Sequence, residues 1–371
     1  MENEFTVEYA SILKKIDAIN PVKYAHSRNY IDGQVNYLSP YISRGVISTK
    51  QVLASLQGKG YSFDQLEPLI QQLCWRDYFQ RIAQVKDINT EIKQVQEHVK
   101  HHAIPLSILE AKTGIQAIDQ AIETLFESGY MHNHSRLYLA ALTCNIGKSH
   151  WLHPAKWMYY HLLDGDLASN SCSWQWVAAS FSSKKYYCNQ ENINKYTFTN
   201  EQDTFLDHSY EHIATMPVPK ALEATSSLTF VTNLPQTAVP KLDTTKPTLL
   251  YNSYNLDPLW RANEPVNRAL MLEPSHFNKY PVSDKVIQFI MALSKNISGI
   301  EVYAGEVDAL VGQYENGDLT FSNAFISKEH PAFEYYPGIK DSREWMFPNT
   351  EGYYPSFFSF WKKGMNSNGK N

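Results

Sequence analysis

The chemistry of this chain is concentrated between residues 129 and 180. That stretch holds Tyr130-Met131-His132-Asn133-His134-Ser135-Arg136, then Asp164-Gly165-Asp166-Leu167-Ala168-Ser169-Asn170, then Trp174-Gln175-Trp176. Asn133 and Arg136 are three residues apart, so on a helix they share a face. Asp164 and Asp166 flank a glycine at the end of an apolar run, where carboxylates gain little as surface decoration. One arginine among so many apolar neighbours needs a carboxylate if it is buried, and Asp164 is the natural candidate. Such a cluster can bind a polar heterocycle, bind a phosphate, or simply close on itself as a structural ion pair. The residue types leave these three readings open.

The elements that must position these residues read as helices through the first two hundred positions. Ile115, Ile118, Ile122 and Leu125 recur at spacings of three and four and line one helical face, with Thr113-Gly114 before them and Gly129 as a C-terminal stop. Leu66, Ile70, Leu73, Phe79 and Ile82 give another face, and residues 137–146 are almost wholly apolar, as in a buried helix. Pro40, Pro105 and Pro154 stand where they can open helices.

From about 200 to 248 the composition changes to prolines among Thr, Ser and Asn with little periodicity, which reads as a long surface connection. Beyond it, 248–251, 268–272, 300–304 and 319–325 are strand-like runs, and 283–296 is helical with Ser283 placed as an N-cap. Strands separated by helical segments predict a parallel α/β sheet. The expected organisation is a helical domain over 1–200, a linker over 201–247 and an α/β domain over 248–371.

Length and composition bound the function. A chain of 371 residues is longer than one core usually grows, and 43% hydrophobic with 19% charged positions excludes a disordered chain. No apolar run approaches the roughly 20 residues of a membrane span, and the acidic start Met1-Glu2-Asn3-Glu4 is unlike a signal peptide, so a cytoplasmic location is expected. Four cysteines at irregular spacing without a Cys-x-x-Cys point to free thiols rather than disulfides or a metal site. The net charge of −5 argues against a protein wrapped in nucleic acid but allows one local basic groove, since residues 1–200 carry +1 and the remainder −6. The 24 Tyr, 17 Phe and 8 Trp are an aromatic excess that asks for a role.

Taken together, the blocks resemble a known family. Thr113-Gly114 with Ile118-Asp119, then Gly129-Tyr130-Met131-His132-Asn133 and Arg136, then Asp164-Gly165-Asp166 with Asn170, then Trp174-Gln175-Trp176, resemble the FAD-binding domain of DNA photolyases and cryptochromes in order and spacing. Leu38-Ser39-Pro40-Tyr41 with Arg44-Gly45-Val46-Ile47-Ser48 is similar to that family's phosphate-side segment, and Trp75-Arg76-Asp77-Tyr78 to its Trp-Arg-Glu-Phe block. The resemblance implies an all-helical domain holding FAD through Asn36, Leu38, Ser39, Trp75, Asn133, Arg136, Asp164, Asp166 and Asn170. In it the Arg136–Asp164 pair lies beside the isoalloxazine, Asp166 accepts from N3–H, and Asn170 faces N5. These are the charges and hydrogen bonds through which a protein tunes a flavin. Val35-Asn36-Tyr37-Leu38-Ser39 stands where the family usually has Thr-Ser-Arg-Leu-Ser, so an arginine contact to the diphosphate is missing.

The same resemblance implies light-driven repair of cyclobutane pyrimidine dimers in damaged DNA, with a cryptochrome-like photoreceptor as the alternative. Trp75 and Trp176 match the residues that pack against a flipped dimer, Asn133 an amide near it, and Gln72 replaces the usual carboxylate. Trp174 and Trp151 match the inner and middle members of the electron chain. The outer member has no tryptophan near His98, which leaves Trp157 or a tyrosine, although Trp157 can equally be a surface residue of an amphipathic helix. Arg76, Lys148, Lys184, Lys185 and His134 are the candidate contacts to DNA phosphates. The α/β pattern follows the helical half, whereas the family's antenna domain precedes it, which implies a permuted domain order. Residues 353–362 resemble that domain's closing Phe-Thr-Pro-Phe-Trp segment. Its first strand lacks the usual Phe-Arg-x-Asp-Leu-Arg, which leaves open either a second antenna chromophore, a folate or deazaflavin, or a purely structural cap.

Overall fold

In the computed structural model, residues 5–314 and 324–368 are described. They form two compact units that are discontinuous in sequence. Residues 20–35 and 67–230 make a helical unit, while 1–19, 36–66 and 231–371 make an α/β unit.

The helical unit is built as its periodicity dictates. The helix Gln116–Ser128 buries Ala117, Ile118, Ala121, Ile122 and Leu125 and ends at Gly129, whose φ of 73° is the left-handed conformation a glycine cap supplies. Its start is fixed by Asp119, whose carboxylate accepts from the backbone N–H and hydroxyl of Thr113, both at 2.7 Å, and from Gly114 N–H at 3.2 Å. The apolar run at 137–146 is an α-helix, Asn133–Ala140, that widens into a fully buried π-helical turn, Ala141–Ile146. Helices Leu152–His161 and Leu167–Val177 complete the surroundings of the site, the second opened by Asp166, which caps Ser169 N–H.

The stretch expected as a connection differs from that expectation. It carries the helix Tyr210–Thr215 and the strand β2 (Thr225–Ser226), antiparallel to β1 (Ile104–Pro105). Leu206, Ile213 and Leu222 are buried in the helical core. Isolated apolar residues give no period to read, yet each one fills a place in the core.

The α/β unit contains a five-stranded, wholly parallel sheet: β3 (Thr248–Tyr251), β4 (Asn267–Met271), β5 (Ile300–Tyr303), β6 (Phe325–Lys328) and β7 (Ile339–Asp341), in the order β5-β4-β3-β6-β7. The strand expected over 319–325 falls largely outside the described residues. All four residues of β3 are buried, as a central parallel strand covered on both faces must be. Among the described residues the only long crossover helix is Asp284–Ser294, and the N-terminal segments add cover. Tyr9 N–H donates to Asn296 Oδ1 at 2.9 Å, and the ring of Tyr41 lies 6.2 Å from that of Phe289. Ser283 occupies the N-cap position of that helix in extended conformation, although its side chain makes no capping bond. The closing segment is the helix Phe357–Asn368.

Candidate functional site

Two helices of the helical unit turn one face each toward a common cavity. From Asn133–Ala140 come Asn133, Arg136, Leu137 and Ala140. From Leu167–Val177 and its cap come Asp166, Ser169, Asn170, Ser173, Trp174 and Val177. Both sets follow the three-and-one spacing of a single helical face. Met158, Leu162 and Asp164 close the wall around a cavity of about 110 Å³.

Its electrostatics are organised by two buried carboxylates. Asp164 receives Arg136 Nη2 at 3.0 and 2.9 Å on its two oxygens, while Arg136 Nε donates to Met131 O at 2.8 Å. Asp166 receives Arg76 at 3.1 Å and Gln80 Nε2 on Oδ2, and Ser169 N–H at 2.7 Å on Oδ1. Asn170 donates its amide N–H to Ala155 O at 2.8 Å, which turns its carbonyl oxygen the other way.

Of the sequence candidates, Asn133, Arg136, Asp164, Asp166, Asn170 and Trp174 are brought together here. Trp75, Gln72, Trp176 and Trp151 are not among the lining residues. Trp75 packs against Tyr78 and Phe79, with ring centres 5.8 and 5.3 Å away, and Trp176 is 37% exposed, 6.0 Å from the ring of Tyr186. Trp151 is fully buried beside His150, which pairs with Glu91 at 2.8 Å. Asn36, Leu38 and Ser39 belong to the α/β unit, where Ser39 opens the short helix Ser39–Ser43.

Several expectations are revised. Trp157 is not a surface residue: it is 1% exposed and packs edge-on to Phe126 and His161. Arg76 is committed to Asp166. His134 gives its Nδ1 to Asn29 O at 2.9 Å, and burial holds its pKa below the ordinary histidine value, so it is neutral at pH 7. Lys148 and Lys185 donate to the carbonyls of Asn145 and Glu97 at 2.6 and 2.9 Å. The cysteines are free and buried.

Sequence reasoning missed Ser169, Ser173 and Gln80. The two serines were legible as the neighbours of Asn170 and Trp174 on one helical face. Gln80 had no local signal. Ser169 is the informative one: its hydroxyl is buried at the cavity wall without a hydrogen-bond partner among the described residues. A buried orphan hydroxyl costs roughly 1–3 kcal/mol, so a polar occupant of the cavity fits it. Apolar walls with a few fixed donors and acceptors also suit a flat heterocycle such as a flavin.

Comparison with known proteins agrees with this geometry. Residues 69–221 match the family model described as the FAD binding domain of DNA photolyase. This part of the chain is similar to the FAD-binding domain of DNA photolyases. A deoxyribodipyrimidine photo-lyase of Vibrio cholerae is 26% identical over 156 residues, covering 38% of this chain and 32% of that protein. One from Buchnera aphidicola is 29% identical over 155 residues with the same coverages. The chain therefore matches about a third of the length of these relatives. The crystal structure of a Synechocystis cryptochrome superposes with a TM-score of 0.46 at 21% identity, over 59% of this chain and 49% of that one. Among the described residues no helix is long and apolar enough to cross a membrane.

Proposed function

We propose that the protein is a light-driven FAD enzyme that reverses cyclobutane pyrimidine dimers in DNA. The observation that carries this reading is the single cavity faced by Arg136–Asp164, Asp166, Asn170 and Trp174 in a domain similar to the FAD-binding domain of DNA photolyases. Bound there, reduced FAD would supply the light-driven electron transfer that dimer reversal needs. The chain's own residues hold and tune it. Arg136 sets a fixed positive charge beside the ring, neutralised on its far side by Asp164. Asp166 would offer an acceptor to the ring imide, and the carbonyl of Asn170 an acceptor to a ring N–H. Asn36, Leu38 and Ser39 are assigned to the diphosphate side. Trp75, Gln72, Asn133 and Trp176 are assigned to the flipped dimer, for which aromatic faces contribute roughly 1–3 kcal/mol per base stacked. Trp174 and Trp151 relay electrons to the flavin.

A second reading, a blue-light receptor acting through protein partners, is favoured by one observation. Arg76 and His134, two of the cations expected at the DNA rim, are taken up by Asp166 and Asn29. The deciding experiment is illumination of the reduced protein with a dimer-containing oligonucleotide. Light-dependent loss of dimers establishes repair. Flavin photochemistry without loss of dimers establishes the receptor.

A further inference from the structure

In a parallel sheet of this strand order, ligands enter the crevice at the carboxyl ends of the two strands whose connections leave in opposite directions. Here those strands are β3 and β6, since β3 leads to β4 on one side and β6 to β7 on the other. The crevice is filled by the chain itself. After β3, Asn252, Ser253, Tyr254 and Asn255 are all buried. The Tyr254 ring stacks on His330, which follows β6, at 4.4 Å and 5° between planes. His276 and Phe333 pack around the pair at 6.2 Å each from Tyr254.

Into this cluster comes Arg44, at 0% exposure, from the segment that begins with Ser39. Its guanidinium carbon lies 5.7 Å from the centre of the Tyr254 ring and Nη1 reaches Ser253 O at 3.4 Å. Its backbone carbonyl accepts from Leu256 N–H at 2.9 Å. Gly45, at φ +64°, allows this approach, because a β-carbon there would collide with the Tyr254 carbonyl. His276 is held neutral by burial and by the Arg44 charge, so two cations do not meet in one buried place.

We propose that Arg44 is a tethered occupant of the crevice and the positioning residue of the turn that carries Ser39. The sheet thus uses the place where such folds take a ligand to hold a piece of its own chain. Resting on the function proposed above, this makes the diphosphate contact assigned to Ser39 depend on Arg44. The helix Ser39–Ser43 runs directly into Arg44, so a guanidinium fixed in the crevice fixes the end of that helix.

The test uses the full chain with Arg44→Gln, titrated with FAD and with riboflavin, which lacks the diphosphate and adenosine. Affinity for FAD should fall tenfold or more while affinity for riboflavin is unchanged. In hydrogen exchange without flavin, amides at 39–47 and 252–256 should exchange at least tenfold faster, with those at 116–128 unaltered. Equal loss of both ligands, or undiminished FAD affinity, overturns the positioning role, and unaltered exchange overturns the occupant itself. A wild-type chain that takes up neither flavin sinks the proposed function, and the exchange measurement then decides Arg44 alone. If Arg44→Gln does not fold, Tyr254→Leu, which removes the ring beneath the guanidinium, carries the same two expectations.

Discussion

Arg76 and Asp166 meet at 3.1 Å, with their side chains 15% and 1% exposed, and the same carboxylate caps the helix that lines the cavity. One residue therefore anchors a cation, starts a helix and faces the site. Asp166→Asn keeps a capping oxygen but removes the charge that Arg76 meets at 3.1 Å. Removing one partner of a buried pair costs roughly 3–5 kcal/mol, so the urea midpoint should fall by a corresponding amount. Asp166→Ala, which also removes the cap, should fall by about 1 kcal/mol more. Equal midpoints for Asp166→Asn and wild type would show that the pair is not a stabilising contact.

Ser169 gives a prediction whose sign separates a structural residue from a ligand contact. Its orphan hydroxyl gains nothing in the apoprotein, so Ser169→Ala should leave apoprotein stability unchanged or slightly raised. If the hydroxyl binds the flavin, the same change should weaken FAD by about 0.5–1.5 kcal/mol, the net worth of one hydrogen bond. Thermal melting without flavin and a flavin titration read the two halves separately.

Acid should destabilise both units through buried histidines. Burial pushes the pKa of His132 down to about 4 and that of His276 down to about 3, against about 6.5 in an unfolded chain. As pH falls below about 6.5 the unfolded state takes up protons that the folded state refuses, so stability drops. The limiting slope is about 1.4 kcal/mol per pH unit for each histidine, down to its folded value. Above pH 7 the effect vanishes. Denaturation at pH 7.5 and pH 5, with His132→Gln and His276→Gln flattening the difference, checks the assignment.

Trp174 lines the cavity and Trp151 does not, so the two should differ in photochemistry. Trp174→Phe should abolish light-driven reduction of bound FAD, and Trp151→Phe should slow it at least tenfold. Absorbance under blue light with an external donor reports both. Undiminished reduction in Trp174→Phe would show that electrons reach the flavin by another route.

Binding to dimer-containing DNA should be only shallowly salt-dependent. Arg76 is paired, His134 is neutral, and Lys148 and Lys185 are tied to backbone carbonyls. With so few of these cations left to neutralise phosphates, the slope of log K against log salt should be no steeper than about −3. A slope near −6 would mean that these side chains are released to the DNA.

The sequence by itself determined whatever depends on local period and chain stereochemistry. The helix over 116–128 with its glycine stop and the shared face of 133 and 136 follow from spacings of three and four residues, and β3 and β5 from short runs of strand-forming residues. Ordered blocks, which survive where single motifs do not, carried the resemblance to the FAD domain. The tertiary structure decided which distant groups became partners. Gln80 reaches Asp166 across 86 residues, and Arg44 meets Ser253 across 209. Leu206, Ile213 and Leu222 found core positions that no period announced. A cation in a sequence can serve a phosphate, a carboxylate or an aromatic face equally well. Which of these it meets is settled by the low dielectric and close packing of the interior, where an unmatched charge is costly, and not by its neighbours along the chain.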